Sequence, residues 1–231
     1  MQKNDHVSAL ILGIFVFIGL SALGYLLGNA AIEFKQYERS VTVKGLSERE
    51  FNADIVIWPL QFTATGNDLE TIYNAIDENT LKIKAFLIKN GVKSQEVTSA
   101  SPAITDKSAQ QYANNPKAEF RYTAFQTVTV YSKNIEAVRA VMSKLSALGK
   151  QGIVFTGGNY QSQTEYTFTR LNEIKPEMIE EATRKAREVA EKFASDSQSK
   201  LGKIKKASQG QFSISDRDKN NPHIKKIRVV T

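Results

Sequence analysis

The clearest feature of the hydrophobic pattern is one long apolar run near the N-terminus. No charged residue occurs between Val7 and Ile32, and the stretch Ala9–Leu27 is almost entirely apolar. A helix rising about 1.5 Å per residue needs about 20 such residues to cross a hydrocarbon core of about 30 Å. The pattern therefore predicts a short stub over residues 1–8 and a transmembrane signal anchor over residues 9–32.

A cleaved signal peptide is the alternative interpretation of this run. Gly28-Asn29-Ala30 offers small residues where a signal peptidase could cut. Against cleavage, the apolar core of a signal peptide is typically about 7–15 residues long, and this run is longer and follows a weakly basic start. We therefore expect an uncleaved anchor.

Two glycines in the run have the spacing of a helix-packing motif. Gly24 and Gly28 form a small-xxx-small pair, which lets two membrane helices approach closely. Glycine is also common in membrane helices that do not associate, so the pair is a candidate for anchor packing and no more.

The orientation of the anchor is not settled by the charges that flank it. Lys3 and the α-amino group precede the run, whereas Lys35, Arg39 and Lys44 follow it, so the positive-inside rule does not favour an external C-terminal domain. A short stub before a first apolar segment is nevertheless the usual form of a signal anchor, which sends the bulk of the chain outward. We expect a single-pass protein of the bacterial inner membrane with residues 33–231 in the periplasm.

Beyond the anchor, alternation of apolar and polar residues with period two predicts strands. One short strand opens at Val41 and Val43 and ends near Gly45. Longer strands are predicted over Asp54–Thr65, Glu119–Tyr131 and Tyr160–Thr169. Each has one apolar and one polar face, which is typical of antiparallel sheet. Pro59 indicates an edge strand or a bulge at its position.

Three helices are predicted between the strands. The first covers Asp68–Asn90, with Asn67 and Glu70 at capping-box spacing, and the second covers Ile135–Leu148, capped by Asn134. The third begins between Asn172 and Pro176, because proline is tolerated in the first turn, and runs to about Leu201. Polar segments over residues 106–118 and 216–223 are predicted hairpin tips, and Gly157-Gly158-Asn159 is a predicted turn.

The third helix has an ordered surface. Alanines recur every fourth residue, which allows close approach to a sheet or another helix: Ala182, Ala186, Ala190 and Ala194. Glu181 and Lys185 form one of its i,i+4 pairs. Taken together, the patterns predict an α+β fold in which one domain of antiparallel strands carries about three packed helices.

Composition removes several kinds of chemistry. The chain of 231 residues has no cysteine and two histidines, so it holds no disulfide, no thiolate metal site and no cysteine nucleophile. No Ser/His/Asp set can be built, because the histidine of the domain, His223, is expected to be an exposed surface residue. No phosphate-binding glycine motif occurs. Composition therefore disfavours histidine and cysteine chemistry.

Acidic residues near the first strands are the remaining catalytic candidates. Glu48, Glu50 and Asp54 lie close together in sequence, and a pair of carboxylates can serve as acid and base. Such residues are more often surface or turn residues. We expect no enzymatic activity; a hydrolase would depend on Asp54 or Glu48.

The net charge of +7 raises the question of an anionic partner. Cations are scattered among acids, and no recognition helix or RNA-binding aromatic motif occurs, so we expect no nucleic-acid binding. Two regions are locally basic and could meet anionic lipid or the acidic surface of a partner: Lys203, Lys205, Lys206, Lys225, Lys226 and Arg228. An adaptor module that docks through this patch is the alternative function.

Four stretches in a fixed order resemble the SIMPL-domain family, which includes bacterial periplasmic and outer-membrane immunogenic proteins and oxidative-stress-defence-like proteins. They are Val41–Gly45 followed by Asp54, Leu87–Val92, Tyr122–Tyr131 followed by Gly152-Ile153, and the alanine helix ending Leu201–Ile204. The resemblance implies an α+β fold, self-association into larger assemblies and no recognised cofactor. It brings no catalytic residues. Residues 156–172 depart from the pattern, and many relatives look secreted.

Overall fold

The chain forms five helices and nine strands over the residues that this computed structural model describes, which are 3–109, 119–157 and 163–231. The helices are α1 (Lys3–Glu38), α2 (Leu69–Lys89), α3 (Ile135–Met142), α4 (Ser146–Gly149) and α5 (Leu171–Asp196). The strands are β1 (Leu46–Asn52), β2 (Ile55–Gly66), β3 (Val97–Ser99), β4 (Ala103–Asp106), β5 (Tyr122–Ser132), β6 (Val154–Phe155), β7 (Glu165–Thr167), β8 (Ser213–Asp216) and β9 (Ile224–Val230). The predicted α+β class is confirmed.

The chain divides into two units. The first contains residues up to Val43 together with Glu188–Leu201, and the second contains Lys44–Arg187 together with Gly202–Thr231. In the first unit, every side chain of α1 from position 7 to position 35 is exposed. The predicted boundaries of the stub and of the anchor stay predictions.

The larger of two sheets in the second unit is antiparallel, with strand order β3-β5-β2-β6 and with β4 and β7 added beside β5 and β2. Its longest ladder joins β2 and β5, from Val56 opposite Ser132 to Gly66 opposite Tyr122. Helix α2 covers one face, because its apolar residues recur at helical spacing and are buried: Ile72, Ile76, Ile83 and Leu87. They join buried β2 and β5 side chains, such as Phe62 and Val128, in one core.

The smaller sheet joins distant parts of the chain in the order β1-β9-β8, all antiparallel. Glu48 lies opposite Arg228 in the β1–β9 ladder, and Ser215 lies opposite Lys226 in the β8–β9 ladder. Its buried face forms a second, smaller core with the start of α5: Phe168, Met178, Ala182, Ile227 and Val229.

The predicted short strand over Val41–Gly45 is wrong. The chain is not in a strand there, and β1 begins at Leu46. The strand residues that face inward include Ser47, which is fully buried, and Arg49, which is half-buried. Because these residues are polar, apolar periodicity does not reveal β1.

Pro59 does not mark an edge strand, but it stands at a gap in the pairing of β2. Strand β2 is interior to the larger sheet, but β7 pairs with it only at positions 55–57 and β6 only at positions 62–63. The carbonyl of Gln61 accepts a hydrogen bond from the Thr156 amide on the β6 side. Residues two apart in a strand turn their backbone groups to the same side, so the nitrogen of Pro59 also faces the β6 side. At Pro59, β2 has no partner on that side within the described residues, so the lack of an amide hydrogen costs no hydrogen bond between strands.

The helices differ from the prediction at their ends. Helix α2 is capped by Asp68, whose carboxylate accepts the Thr71 amide at 2.9 Å, rather than by Asn67. The predicted second helix is broken, so that α3 ends at Met142 and a separate turn forms α4. Asn134 caps α3 as predicted.

Helix α5 ends at Asp196, five residues before the predicted end near Leu201. Gln198 has a positive φ of 52°, and the Ser199 amide donates to the Ala194 carbonyl, so a left-handed residue closes the helix. The lysines from position 200 onward therefore lie outside the helix.

Two predicted segments fall partly outside the described residues. The structure describes β7 within the predicted strand Tyr160–Thr169, but not residues 158–162, which include part of the glycine turn. It also does not describe residues 110–118 of the first predicted loop. The β8–β9 connection is the predicted hairpin tip.

Candidate functional site

Helix α1 is long and apolar enough to cross a membrane. Its span Val7–Lys35 covers 29 residues with a mean hydropathy of 2.5, and none of it is buried. At about 1.5 Å per residue the span exceeds a hydrocarbon core of about 30 Å. An unburied helix of this composition is typical of a membrane anchor or a signal sequence. Gly24 and Gly28 lie on it with open space where a Cβ would stand, so their predicted role in anchor packing stays a prediction.

The structure separates the predicted basic patch into three parts, of which the first is Lys225. This residue points to the inner face of the smaller sheet and is 7% exposed. Its ammonium group forms an ion pair with Asp216, its cross-strand neighbour on β8. Because burial of a lone ammonium would be costly, the pair is a structural element of the sheet rather than a docking cation.

The second part lies on the outer face of the same sheet. Lys226 Nζ lies 2.7 Å from Glu48 Oε1, on the neighbouring strand. Arg228 is exposed and stands opposite Glu48 in the strand register. Acidic residues of β1 thus accompany the cations of β9 and reduce the positive charge of this face.

The third part is the segment Lys203–Lys206, which we call the basic segment. It lies in neither a helix nor a strand, and all four of its residues are exposed. Ile204, between the lysines, is 71% exposed. Within the described residues, no acidic side chain lies within ion-pair distance of Lys203 or Lys206. The basic segment is therefore the part of the predicted patch that lies outside both sheets and outside α5.

A charged network that sequence patterns did not reveal fixes β1 to α5. Glu181 accepts hydrogen bonds from Ser47 Oγ at 2.9 Å, from Arg49 Nε at 3.0 Å and from Lys185 Nζ at 2.7 Å. Arg49 also donates to Glu177 at 2.7 Å. The lysine, the serine and the arginine together lower the pKa of the Glu181 carboxyl to about 2, so it is ionised at neutral pH. Only the Glu181–Lys185 pair was predicted.

Close backbone contact supports the same junction. A Cβ on Gly45 would stand 1.7 Å from the carbonyl oxygen of Ala182 and 2.7 Å from the amide nitrogen of Ala186. Only glycine allows this approach. Gly45 and two alanines of α5, Ala182 and Ala186, thus form one packing contact.

A cleft of about 240 Å³ lies where the two sheets meet, lined by Asn52, Ala53, Lys133, Asn134, Ile135, Glu136 and His223. The prediction that His223 is an exposed surface residue needs correction, because the ring is partly buried and stands edge-on to Tyr166 with centroids 6.0 Å apart. Burial, aided by Arg139, lowers the pKa of His223 from its usual value of 6.5. The imidazole is therefore mainly neutral at pH 7.

The three candidate carboxylates each have a structural partner. Asp54 accepts the Thr169 amide at 2.9 Å and lies 3.4 Å from Arg170 Nε, which holds the β1–β2 link against the chain after β7. Glu50 lies 3.7 Å from Arg217 Nη1, and Glu48 is paired with Lys226. Each of the three carboxylates thus has at least one contact that links separate parts of the chain. In the described part of the chain, no group of three or more His, Asp or Glu side chains could hold a metal ion.

The fold and these contacts define an α+β domain of two antiparallel sheets that follows an apolar N-terminal helix. The chain belongs to the SIMPL family, described as a protein of unknown function (DUF541), which matches residues 41–225. The predicted resemblance is thereby confirmed. The match begins after α1 and covers both sheets up to the first residues of β9. No curated protein matches the chain.

Proposed function

We propose that this protein is a single-pass anchor protein of the bacterial inner membrane whose SIMPL domain stands in the periplasm. The observation that carries the proposal is the fully exposed apolar span Val7–Lys35, which needs a bilayer to cover it. The domain makes and breaks no bonds. It associates with identical copies into a ring- or channel-like envelope assembly that acts in envelope or oxidative stress.

Membrane attachment and cleavage of the anchor are tested together. Membranes from expressing cells are washed at alkaline pH, and the mass of the extracted protein is measured. We expect the full mass of 25.7 kDa in the washed membranes. A soluble product shortened near Ala30 would contradict the anchor.

Orientation is read by cysteine labelling, because the chain has no cysteine of its own. Ser208→Cys lies in the domain and is exposed, and Gln2→Cys lies in the stub and is the matched control. With a membrane-impermeant maleimide on intact spheroplasts, we expect labelling at position 208 and labelling at position 2 only after lysis. The reverse result would place the domain in the cytoplasm.

Open sheet edges support self-association. In the smaller sheet β1 and β8 are the outer strands, and each has a side on which no strand pairs with it in the described residues. All four residues of β8 are exposed, including the apolar Ile214. Exposed edge strands offer unpaired amides and carbonyls to another copy.

Light scattering of the detergent-solubilised chain measures the assembly. We expect a mass of several copies for the native chain and a smaller assembly for Ile214→Lys, because a charge at an edge strand blocks pairing. Leu81→Lys is the control, since Leu81 is 68% exposed on α2 and away from the edge. A monomeric native chain would contradict self-association.

The structural partners of the carboxylates support a non-enzymatic role. Asp54 and Glu48 are held in ion pairs with Arg170 and Lys226, so each carboxylate has a structural role. A hydrolytic activity that Asp54→Asn or Glu48→Gln abolishes would contradict this role.

A further inference from the structure

The cleft where the two sheets meet is lined by parts of the chain that hydrogen bonds hold in place. The Ala53 amide donates to the His223 carbonyl at 2.8 Å, which joins the β1–β2 link to the end of the β8–β9 connection. The turn before α3 is fixed by Ser132, which is buried and whose hydroxyl accepts from the Asn134 amide at 3.0 Å and donates to Glu96 Oε1 at 2.8 Å. A preformed lining of this kind is typical of small-molecule sites.

The polar side chains of this cleft differ from the paired charges of the smaller sheet. There, Lys225 is paired with Asp216 and Lys226 with Glu48. In the cleft, four polar side chains make no hydrogen bond or ion pair with any residue that the structure describes: Asn52, Lys133, Glu136 and His223. Polar groups from three places in the chain thus meet in one cleft with their hydrogen-bonding capacity unused.

We propose that the cleft binds a small zwitterion that carries a carboxylate and an ammonium group, such as a free α-amino acid. Lys133 and Glu136 supply one positive and one negative charge to the same cleft, and they form no ion pair with each other. A ligand with both charges satisfies both side chains, whereas a plain anion is repelled by the glutamate and a plain cation by the lysine. This binding activity is separate from anchoring and self-association and depends on neither.

The size and the remaining lining of the cleft restrict the rest of the ligand. The volume of about 240 Å³ is below the range of about 300–1,000 Å³ for drug-sized ligands, so the cleft suits a compact metabolite. Ala53 and Ile135 offer apolar surface to a short side chain, and the neutral imidazole of His223 offers one donor and one acceptor. Because most of the lining is exposed to water, we expect a dissociation constant of about 1 mM.

The imidazole of His223 reports on binding directly, because the chain has only one other histidine, His6. The full chain is labelled with isotope-enriched histidine, solubilised in detergent and titrated with L-alanine, while the imidazole resonances are followed by NMR. The variant His6→Gln assigns the two signals. Acetate and ethylammonium, each of which carries one of the two charges, are the comparison ligands at constant ionic strength.

We expect a saturable shift of the His223 resonance with L-alanine and no shift of the His6 resonance. Acetate and ethylammonium should each bind at least about tenfold more weakly, because each lacks one charge-assisted contact.

Each charge of the cleft has a matched control. Lys133→Gln and Glu136→Gln should each weaken the binding of L-alanine about tenfold. Lys150→Gln removes an exposed lysine outside the cleft, and Glu70→Gln removes an exposed glutamate from the second residue of α2, the position that Glu136 holds in α3. Both controls should bind L-alanine as the native chain does. Glu136→Gln should also bind acetate more tightly than the native chain does, because the repulsion of the anion is removed.

Three results would overturn the inference. One is the absence of a saturable shift of the His223 resonance at L-alanine concentrations far above 1 mM. Another is that acetate binds as tightly as L-alanine, which would make the cleft a simple anion site. The third is an equal loss of binding in the cleft variants and in their controls.

Discussion

The two sheets of the domain are stabilised by different means. The larger sheet encloses a continuous apolar core under α2, in which side chains such as Phe62, Ile83 and Leu87 are fully buried. The smaller sheet buries only a few apolar residues and adds a charged network and a glycine–alanine contact to hold β1 on α5. An apolar core tolerates many combinations of apolar residues, whereas the charged network and the glycine–alanine contact of the smaller sheet depend on particular residues.

The largest expected effect is a cavity in the larger core. Phe62→Ala removes a fully buried ring, and we expect a loss of about 3–5 kcal/mol in the free energy of unfolding. Chemical denaturation of the detergent-solubilised chain measures it through Trp58, the single tryptophan, which lies in the same core. Phe120→Ala is the control, since Phe120 is 36% exposed. Equal losses in the two variants would refute the assignment of the core.

A smaller effect is expected where β1 meets α5. Gly45→Ala forces a methyl group against the backbone of Ala182, so we expect a loss of about 1–3 kcal/mol. Hydrogen exchange should quicken in β1 and β9 and remain slow in β2 and β5. Gly149→Ala is the control, because no atom lies near the added methyl group, and it should lower neither the stability nor the protection from exchange. An equal increase of the exchange rates in both sheets would contradict this prediction, because it would mean that the two sheets unfold together.

The smallest effect is expected from the charge at Glu181. Glu181→Gln keeps the shape of the side chain, and we expect a loss of about 1–2 kcal/mol at pH 7 because charge-assisted hydrogen bonds are replaced by neutral ones. The pKa of the carboxyl is about 2 in the folded protein, against an ordinary value of 4.5. Its contribution is therefore fully present above pH 4.5 and is lost as the pH falls towards 2.

Denaturation of Glu181→Gln and of the native chain at pH 7, 4.5 and 2.5 measures this dependence. The difference between the two should shrink over the last interval. Glu180→Gln, one residue earlier and exposed, is the control and should differ little from the native chain at any pH. A difference that is constant with pH would mean that the ionised carboxylate does not carry the effect.

The two sheets also differ in how far the sequence predicts them. Strands β2 and β5 were predicted because their inward residues are apolar and alternate, as at Val56, Trp58 and Leu60. Strand β1 was missed because Ser47 and Arg49 face inward and find their partner, Glu181, on a helix far along the chain. Local periodicity carries no information about such a partner.

The basic residues show the same limit. Their clustering was visible in the sequence, but their neutralisation was not, because it depends on the strand register. Only the pairing of β9 with β1 and β8 brings Glu48 beside Lys226 and Asp216 beside Lys225. Helix α1 needed no such information, since its length and composition alone indicate a membrane anchor or a signal sequence.

The pairing of β1 with β9 fixes an order of events during synthesis. Strand β1 emerges soon after the apolar helix, yet its partner begins only at Ile224, after both the larger sheet and α5. Chains begin to fold from the N-terminus as they emerge, and contacts between distant residues form slowly. The larger sheet can thus assemble first, while β1 stays unpaired until β9 has been synthesised.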